Sequence, residues 1–184
     1  MEPVIASDYC LAEHKHRFAA WAASRAARVK RFSLKVSVGK ALLDEIGLSA
    51  FVEDPDRLPN ADAMDAVHAD WRDRVKRSAS KRFPDCTHGT SAKLINVYLK
   101  TVFVCGGFHA HPKVALLHPP IDRLLLAELA KQDVGGHKRF WQSMHKQGWS
   151  SFTSEQYQEV IDYIRLVMKG RPLWEIERYW RGYQ

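Results

Sequence analysis

The 184-residue chain contains no glycine-rich phosphate loop and no serine held between glycines at a strand-to-helix elbow. It also lacks any run approaching the roughly 20 apolar residues that a membrane span needs. These absences argue against P-loop nucleotide chemistry, an α/β-hydrolase site and a membrane partner. Cysteine is scarce: Cys10, Cys86 and Cys105 are odd in number and share no paired spacing. That predicts free thiols in a reducing, cytoplasmic setting and neither a disulfide framework nor a zinc site. The opening residues, Met-Glu-Pro-Val-Ile-Ala-Ser-Asp, have no basic stretch leading into an apolar one, so no signal peptide is read there. Strand signals are weak, since the β-branched and aromatic run 102–105 prolongs a helical pattern. Repeats and low-complexity tracts are absent.

What the chain does have is apolar and basic. Its 46% hydrophobic content, with six Trp, six Tyr and eight Phe, excludes disorder and supplies a core without disulfides. Lys and Arg total 28 against 21 Asp and Glu, a formal charge of +7 that suits a phosphate-rich partner.

Apolar residues recur at helical spacing along nearly the whole length. A first helix is expected over 7–30, with Phe18, Trp21, Ala22, Ala26 and Val29 on one face. A second follows over 36–46, stopped by Gly47. Asn60 is placed to cap a third that carries Met64, Val67, Trp71 and Val75 and ends before Pro84. The fourth begins near Ala92 and stops at Gly106-Gly107. The fifth covers 122–131, and a short helical piece lies near 140–146. Thr153-Ser154-Glu155-Gln156 has the form of a capping box launching the next helix, closed by Gly170, and Pro172 opens a last one. The expected fold is all-α: a single compact domain, residues 1–184, of seven or eight helices.

Lys93 and Asp122 carry the most chemical information. Lys93 follows the small-residue turn His88-Gly89-Thr90-Ser91-Ala92, and Asp122 follows His118-Pro119-Pro120-Ile121. From Lys93 onward, Leu94, Val97, Tyr98, Thr101 and Cys105 form one helical stripe, with Lys93, Asn96 and Lys100 opposite. A lysine in the first helical turn opposes the helix dipole, which depresses its pKa toward a neutral nucleophile. The ordinary reading of that lysine is a solvated side chain on a polar face. Asp122 reads equally as an N-cap, with Ile121 and Leu126 placed as a hydrophobic staple.

The order of turn, lysine, helix, proline and aspartate over about residues 82–131 resembles the catalytic segment of the helix-hairpin-helix DNA glycosylases, in particular their 8-oxoguanine branch. In bifunctional members a lysine at the start of the second hairpin helix attacks C1′ of a flipped nucleotide, and a downstream aspartate assists base departure. The resemblance implies those roles for Lys93 and Asp122, with double-stranded DNA as partner and no cofactor. The 29-residue separation is similar to that in archaeal members with a long insert. Family hairpins carry a glycine-apolar-glycine turn, whereas only Gly89 stands here, so the hairpin is a degenerate one. The family's four-cysteine iron–sulfur cluster cannot be built from three scattered cysteines.

On this reading the turn residues His88, Gly89, Thr90 and Ser91 grip phosphate through backbone N–H groups, with Lys81 and Arg82 beside them. Arg72, Arg74, Lys76 and Arg77 extend that basic run, and Arg25, Arg28, Lys30 and Arg31 form a second. Phe140 and Trp141 are the expected base-pocket aromatics, with the hydrophobic core as their alternative. The histidine groups around His14-Lys15-His16 and His109-Ala110-His111 lack a carboxylate or cysteine at ligand spacing, so no metal is expected. Two non-enzymatic readings stay open. One is a DNA-binding helical module without chemistry, of the kind used in phage defence. The other is a protein-interaction domain that docks through its aromatic end, Trp174, Tyr179, Trp180 and Tyr183.

Overall fold

The computed structural model describes residues 9–30 and 33–183. Among them no strand forms, and seven α-helices make up the frame: α1 Leu11–Ala26, α2 Val36–Glu45, α3 Met64–Ser80, α4 His88–Leu99, α5 Arg123–Lys131, α6 Lys138–Gln147 and α7 Ser154–Met168. A π-helical stretch, Lys100–Phe108, continues α4, and short 3-10 turns at Trp149–Ser151 and Leu173–Tyr179 complete the frame. The fold is all-α, as the periodicity requires. The expected helix start at Ser7 and the cation Arg31 lie outside the described residues.

Two apolar clusters form the interior. One is built by α1, α2, α3, the Leu94-Ile95 and Tyr98-Leu99 side of α4, and the π stretch. The other is built by α5, α6, α7 and the turn from Leu173, with Ala92 of α4 contributing. Ten of the twelve α4 residues are buried, so this helix has no solvated face. The polar face expected for Lys93, Asn96 and Lys100 is the face turned toward the second cluster and its polar border.

Several boundaries differ from expectation for local reasons. α4 starts at His88, not near Ala92. Thr87 Oγ1 accepts the Thr90 amide at 3.1 Å while Thr90 Oγ1 accepts the Thr87 amide at 2.9 Å, a capping box made from two threonines. Lys93 therefore sits in the second turn, beyond the reach of the terminal dipole. α3 begins at Met64, because the backbone carbonyl of Asn60 closes a turn onto Ala63 and Met64 first. The glycine pair at 106–107 ends the helix as expected: the wide π turns that follow Leu99 break at Gly107, whose backbone is left-handed at φ 97°.

α1 is rotated relative to the expected face. Ala19, Ala20, Ala23, Ser24 and Ala27 are buried, whereas Phe18 is 56% and Trp21 45% exposed. The small side chains let α1 approach its neighbours closely. At the α2 crossing Gly39 faces Ser24, and a Cβ on Gly39 would lie 2.0 Å from the Ser24 hydroxyl. A face of bulkier residues could not pack at that distance.

The start of α4 is roofed by residues 149–152. The Gly89 amide points at the Phe152 carbonyl (3.4 Å), and Thr87 Oγ1 donates to the Ser150 carbonyl at 2.8 Å. A Cβ on Gly89 would lie 1.8 Å from the Trp149 carbonyl oxygen, a backbone atom. Gly89→Ala is therefore expected to destabilise the protein by about 1–3 kcal/mol, the usual range for overpacking, in urea denaturation. A variant as stable as the parent would show that the roof is not fixed.

Candidate functional site

Helix α4 and the N-terminus of α5 bring the two sequence-singled residues together. Lys93 Nζ donates to Asp122 Oδ2 at 3.0 Å across a 29-residue separation. Lys93 is only 7% exposed and the Asp122 side chain 18%. Asp122 is also the cap of α5: its Oδ1 accepts the Leu125 amide at 2.9 Å, and its Oδ2 accepts Trp180 Nε1–H at 2.9 Å. The capping and pairing readings thus hold at once, one on each carboxylate oxygen.

Electrostatics at the pair follow from burial. Removal from water pushes the Lys93 amine below its ordinary range, and the Asp122 charge restores only part of the shift. The cause is desolvation, not the helix dipole expected from a first-turn position. Burial pushes the Asp122 carboxyl up, but the Lys93 charge, the Leu125 amide and the Trp180 indole outweigh it and hold the group below the usual carboxylate range. Asp122 is therefore an anion at neutral pH.

Two tryptophans flank the pair. The Trp149 ring lies with its centre 5.8 Å from Lys93 Nζ, and Trp180 bonds Asp122 while its ring sits 5.8 Å from Lys100 Nζ. Lys100 in turn pairs with Glu177, whose carboxyl burial pushes up.

One turn beyond Lys93, Asn96 fixes the segment that delivers Asp122. Its Nδ2 donates to the Pro119 carbonyl at 2.9 Å and to the Tyr157 hydroxyl at 2.8 Å, and its Oδ1 accepts His68 Nε2–H at 2.7 Å. Tyr157 passes the chain on to His118 Nδ1 at 3.1 Å, and His118 Nε2–H donates to Asp65 Oδ1 at 2.9 Å. Arg165 pairs with the same aspartate. The double proline is thereby held against α4, and Asp122 enters α5 from a fixed point.

Other expected site residues are distributed differently. Lys81 and Arg82 are exposed at the end of α3, while His88 is half-buried with Nε2 3.5 Å from Lys76 Nζ. Gly89, Thr90 and Ser91 are buried, and their amides are taken by Phe152, by Thr87 Oγ1 and by the Thr87 carbonyl. This turn has no free N–H fork for phosphate, which corrects the expected grip. Arg72 is 1% exposed, 4.2 Å from the Tyr157 ring centre and bonded to Ser154 Oγ, so it does not face a solvent-borne strand.

The expected base-pocket aromatics are also corrected. Trp141 is fully buried with Nε1 donating to the Val134 carbonyl at 2.9 Å, and Phe140 stacks on Tyr163 with ring centres 3.6 Å apart. Trp141 has no exposed surface to receive a base, and one face of the partly exposed Phe140 ring is already covered by Tyr163. The aromatics beside the amine are Trp149 and Trp180, which the sequence reading did not place. Trp180 had been read with the aromatic C-terminal end, and nothing in its spacing to Asp122 announces the bond. Among the histidines, His16 and His118 are each buried between a tyrosine and an aspartate: Tyr98 with Asp44, and Tyr157 with Asp65.

Comparison of the chain with family models, with curated proteins and with solved structures finds no match. The functional reading therefore stands on these residues and their geometry.

The pair predicts an asymmetry. Lys93→Met leaves Asp122 with two donors, Leu125 and Trp180, whereas Asp122→Ala strands a buried ammonium and removes the α5 cap. Asp122→Ala should be the more damaging, by about 3–5 kcal/mol in all against less for Lys93→Met, in matched urea melts. Equal losses would refute that ordering.

A pH dependence follows from the histidines. Burial drives His68 well below its ordinary value of 6.5, and its Nδ1 has no partner to accept a proton toward; burial also lowers His118 against the pull of Asp65. In the unfolded chain both titrate near 6.5, so the unfolded state binds more protons below that pH, and stability falls as acid is added. The loss should begin near pH 6.5 and approach about 1 kcal/mol per pH unit for each histidine that stays neutral. A flat unfolding free energy between pH 7 and 5 would contradict it.

Proposed function

We propose that the protein acts on DNA as a base-excision glycosylase of the lysine type, with 8-oxoguanine as the leading candidate lesion. The observation that carries this reading is the buried Lys93–Asp122 pair, 3.0 Å apart and contributed by two helices remote in sequence. A nucleophilic lysine needs a neutral amine, and burial lowers the proton affinity of Lys93. An oxocarbenium-like sugar carbon needs a nearby anion, and Asp122 is held ionised.

The chemistry runs as follows. Deprotonated Lys93 Nζ attacks C1′ of an extruded nucleotide as the N-glycosidic bond breaks, its electron pair leaving with the base, which takes up a proton. The sugar ring then opens as the C1′–O4′ bond breaks with its electron pair going to O4′. Of the two amine protons one balances that taken up by the base and the other ends on O4′, leaving a C1′ imine. Asp122 stabilises the positive charge that builds on the sugar and keeps the amine aimed at it. Trp149 and Trp180 are the rings beside the amine that a flipped base meets.

Borohydride trapping on an 8-oxoguanine duplex tests the reading. The parent should form a covalent adduct, Lys93→Gln none, and Asp122→Asn an adduct formed at least about 100-fold more slowly, within the usual loss on removing such a group. Trapping that survives in Lys93→Gln would exclude the mechanism.

A second reading draws on the closed N-terminus of α4, whose Gly89, Thr90 and Ser91 amides are already satisfied within the chain. In it the protein is a helical DNA-binding module without chemistry, and the pair is a structural pin. Salt-sensitive duplex binding with no base release, unchanged in Asp122→Asn, would favour this second reading over the first.

A further inference from the structure

The outward face of α1 takes no part in either apolar cluster's interior. Its buried side is the alanine face, and its outer side presents Leu11, Phe18 and Trp21 together with Arg17 and Arg25, continued by Arg28 and Lys30. Tyr9, just before the helix, is exposed with them. The side chains are interleaved, not segregated. The Arg17 guanidinium lies 5.0 Å from the Tyr9 ring centre and that of Arg25 5.8 Å from the Trp21 ring centre, while the Phe18 and Trp21 rings lie 5.7 Å apart at a 31° tilt. Within α1 the single carboxylate is Glu13, and Arg17 holds it.

We infer that this face binds single-stranded nucleic acid. Exposed aromatic rings offer stacking planes that only unpaired bases can use, because the bases of a duplex are already stacked on one another. The guanidiniums between them supply the phosphate contacts. From Arg17 to Arg25 the helix advances about 12 Å, at 1.5 Å per residue, with Arg28 just beyond its end, which accommodates a short stretch of backbone. A duplex partner would leave the rings unused. An acidic protein would use the cations but not the flat, tilted ring pair. The surface is distinct from the Lys93–Asp122 pair and does not depend on the reaction proposed there.

Fluorescence anisotropy with labelled oligo-dT of 20 nucleotides tests the inference, with a 20-base-pair duplex and phosphatidylglycerol vesicles as comparisons. The parent should bind oligo-dT more tightly than duplex, with a log–log salt slope of about −2, the value for roughly three phosphates contacted on a single strand. Phe18→Ala combined with Trp21→Ala should weaken binding at least about 10-fold with the slope unchanged, because stacking is lost and phosphate contacts are kept. Arg25→Gln with Arg28→Gln should bring the slope to about −0.7, one contact remaining. All four side chains are exposed or half-exposed, so the variants' thermal melts should overlay that of the parent. Parent-like oligo-dT binding in the double aromatic variant would overturn the inference. So would vesicle binding that needs the two rings without any oligo-dT affinity, or self-association through them.

Discussion

An ammonium group in the middle of a packed molecule has to be met by a charge, and most of the second half of this chain is arranged around meeting Lys93. Asp122 reaches it only because the backbone before α5 is held in place, and Asn96, on the same face of the same helix, does the holding through the Pro119 carbonyl. The proline pair leaves few conformations between that anchor and the start of α5. Trp180 then closes over the carboxylate from the C-terminal side. Helix α4 and the π stretch that continues it thus set the position of α5, of the 118–122 segment and of the final turn through three polar side chains on one face: Lys93, Asn96 and Lys100.

That polar face also divides the two apolar clusters. On one side α4 meets alanines, leucines and Phe103; on the other it meets a continuous run of hydrogen bonds from His68 through Asn96, Tyr157 and His118 to Asp65. Each member bonds at least one neighbour, with His68 Nδ1 left unpaired, which is what permits so many polar groups to lie away from water. The arrangement specifies one docking of the clusters, because a shift along α4 of a single turn would leave several of these groups unpaired at once.

The helical architecture was legible because it rests on local rules: apolar periodicity, a capping aspartate, prolines that stop one element and start another. The lysine–aspartate convergence was expected only through the resemblance to the glycosylase segment, since local rules alone gave a solvated lysine and a cap. What escaped the sequence was decided by packing between elements. The α1 face was misassigned because periodicity weights Phe18 and Trp21 above alanine, whereas the close approach of α2 at Gly39 admits only small side chains. The start of α4 was placed late because a threonine pair closed the cap where a glutamate is the usual signal. Lys93, Asn96 and Lys100 look solvated on a helical wheel, and only the arrival of α5, α7 and the last turn makes that face interior. Trp149 and Trp180 lie 56 and 87 residues from Lys93 along the chain, so no spacing rule joins them to it.

The roof over α4 links two properties that sequence keeps apart. The same four residues that cap the helix carry the indole above the amine, and Gly89 leaves the Trp149 carbonyl no slack. Displacing the backbone that carries that ring would withdraw the Ser150 and Phe152 carbonyls from Thr87 and Gly89 together. Uncovering the lysine by that route and fraying the central helix would then be one motion, opposed by both hydrogen bonds.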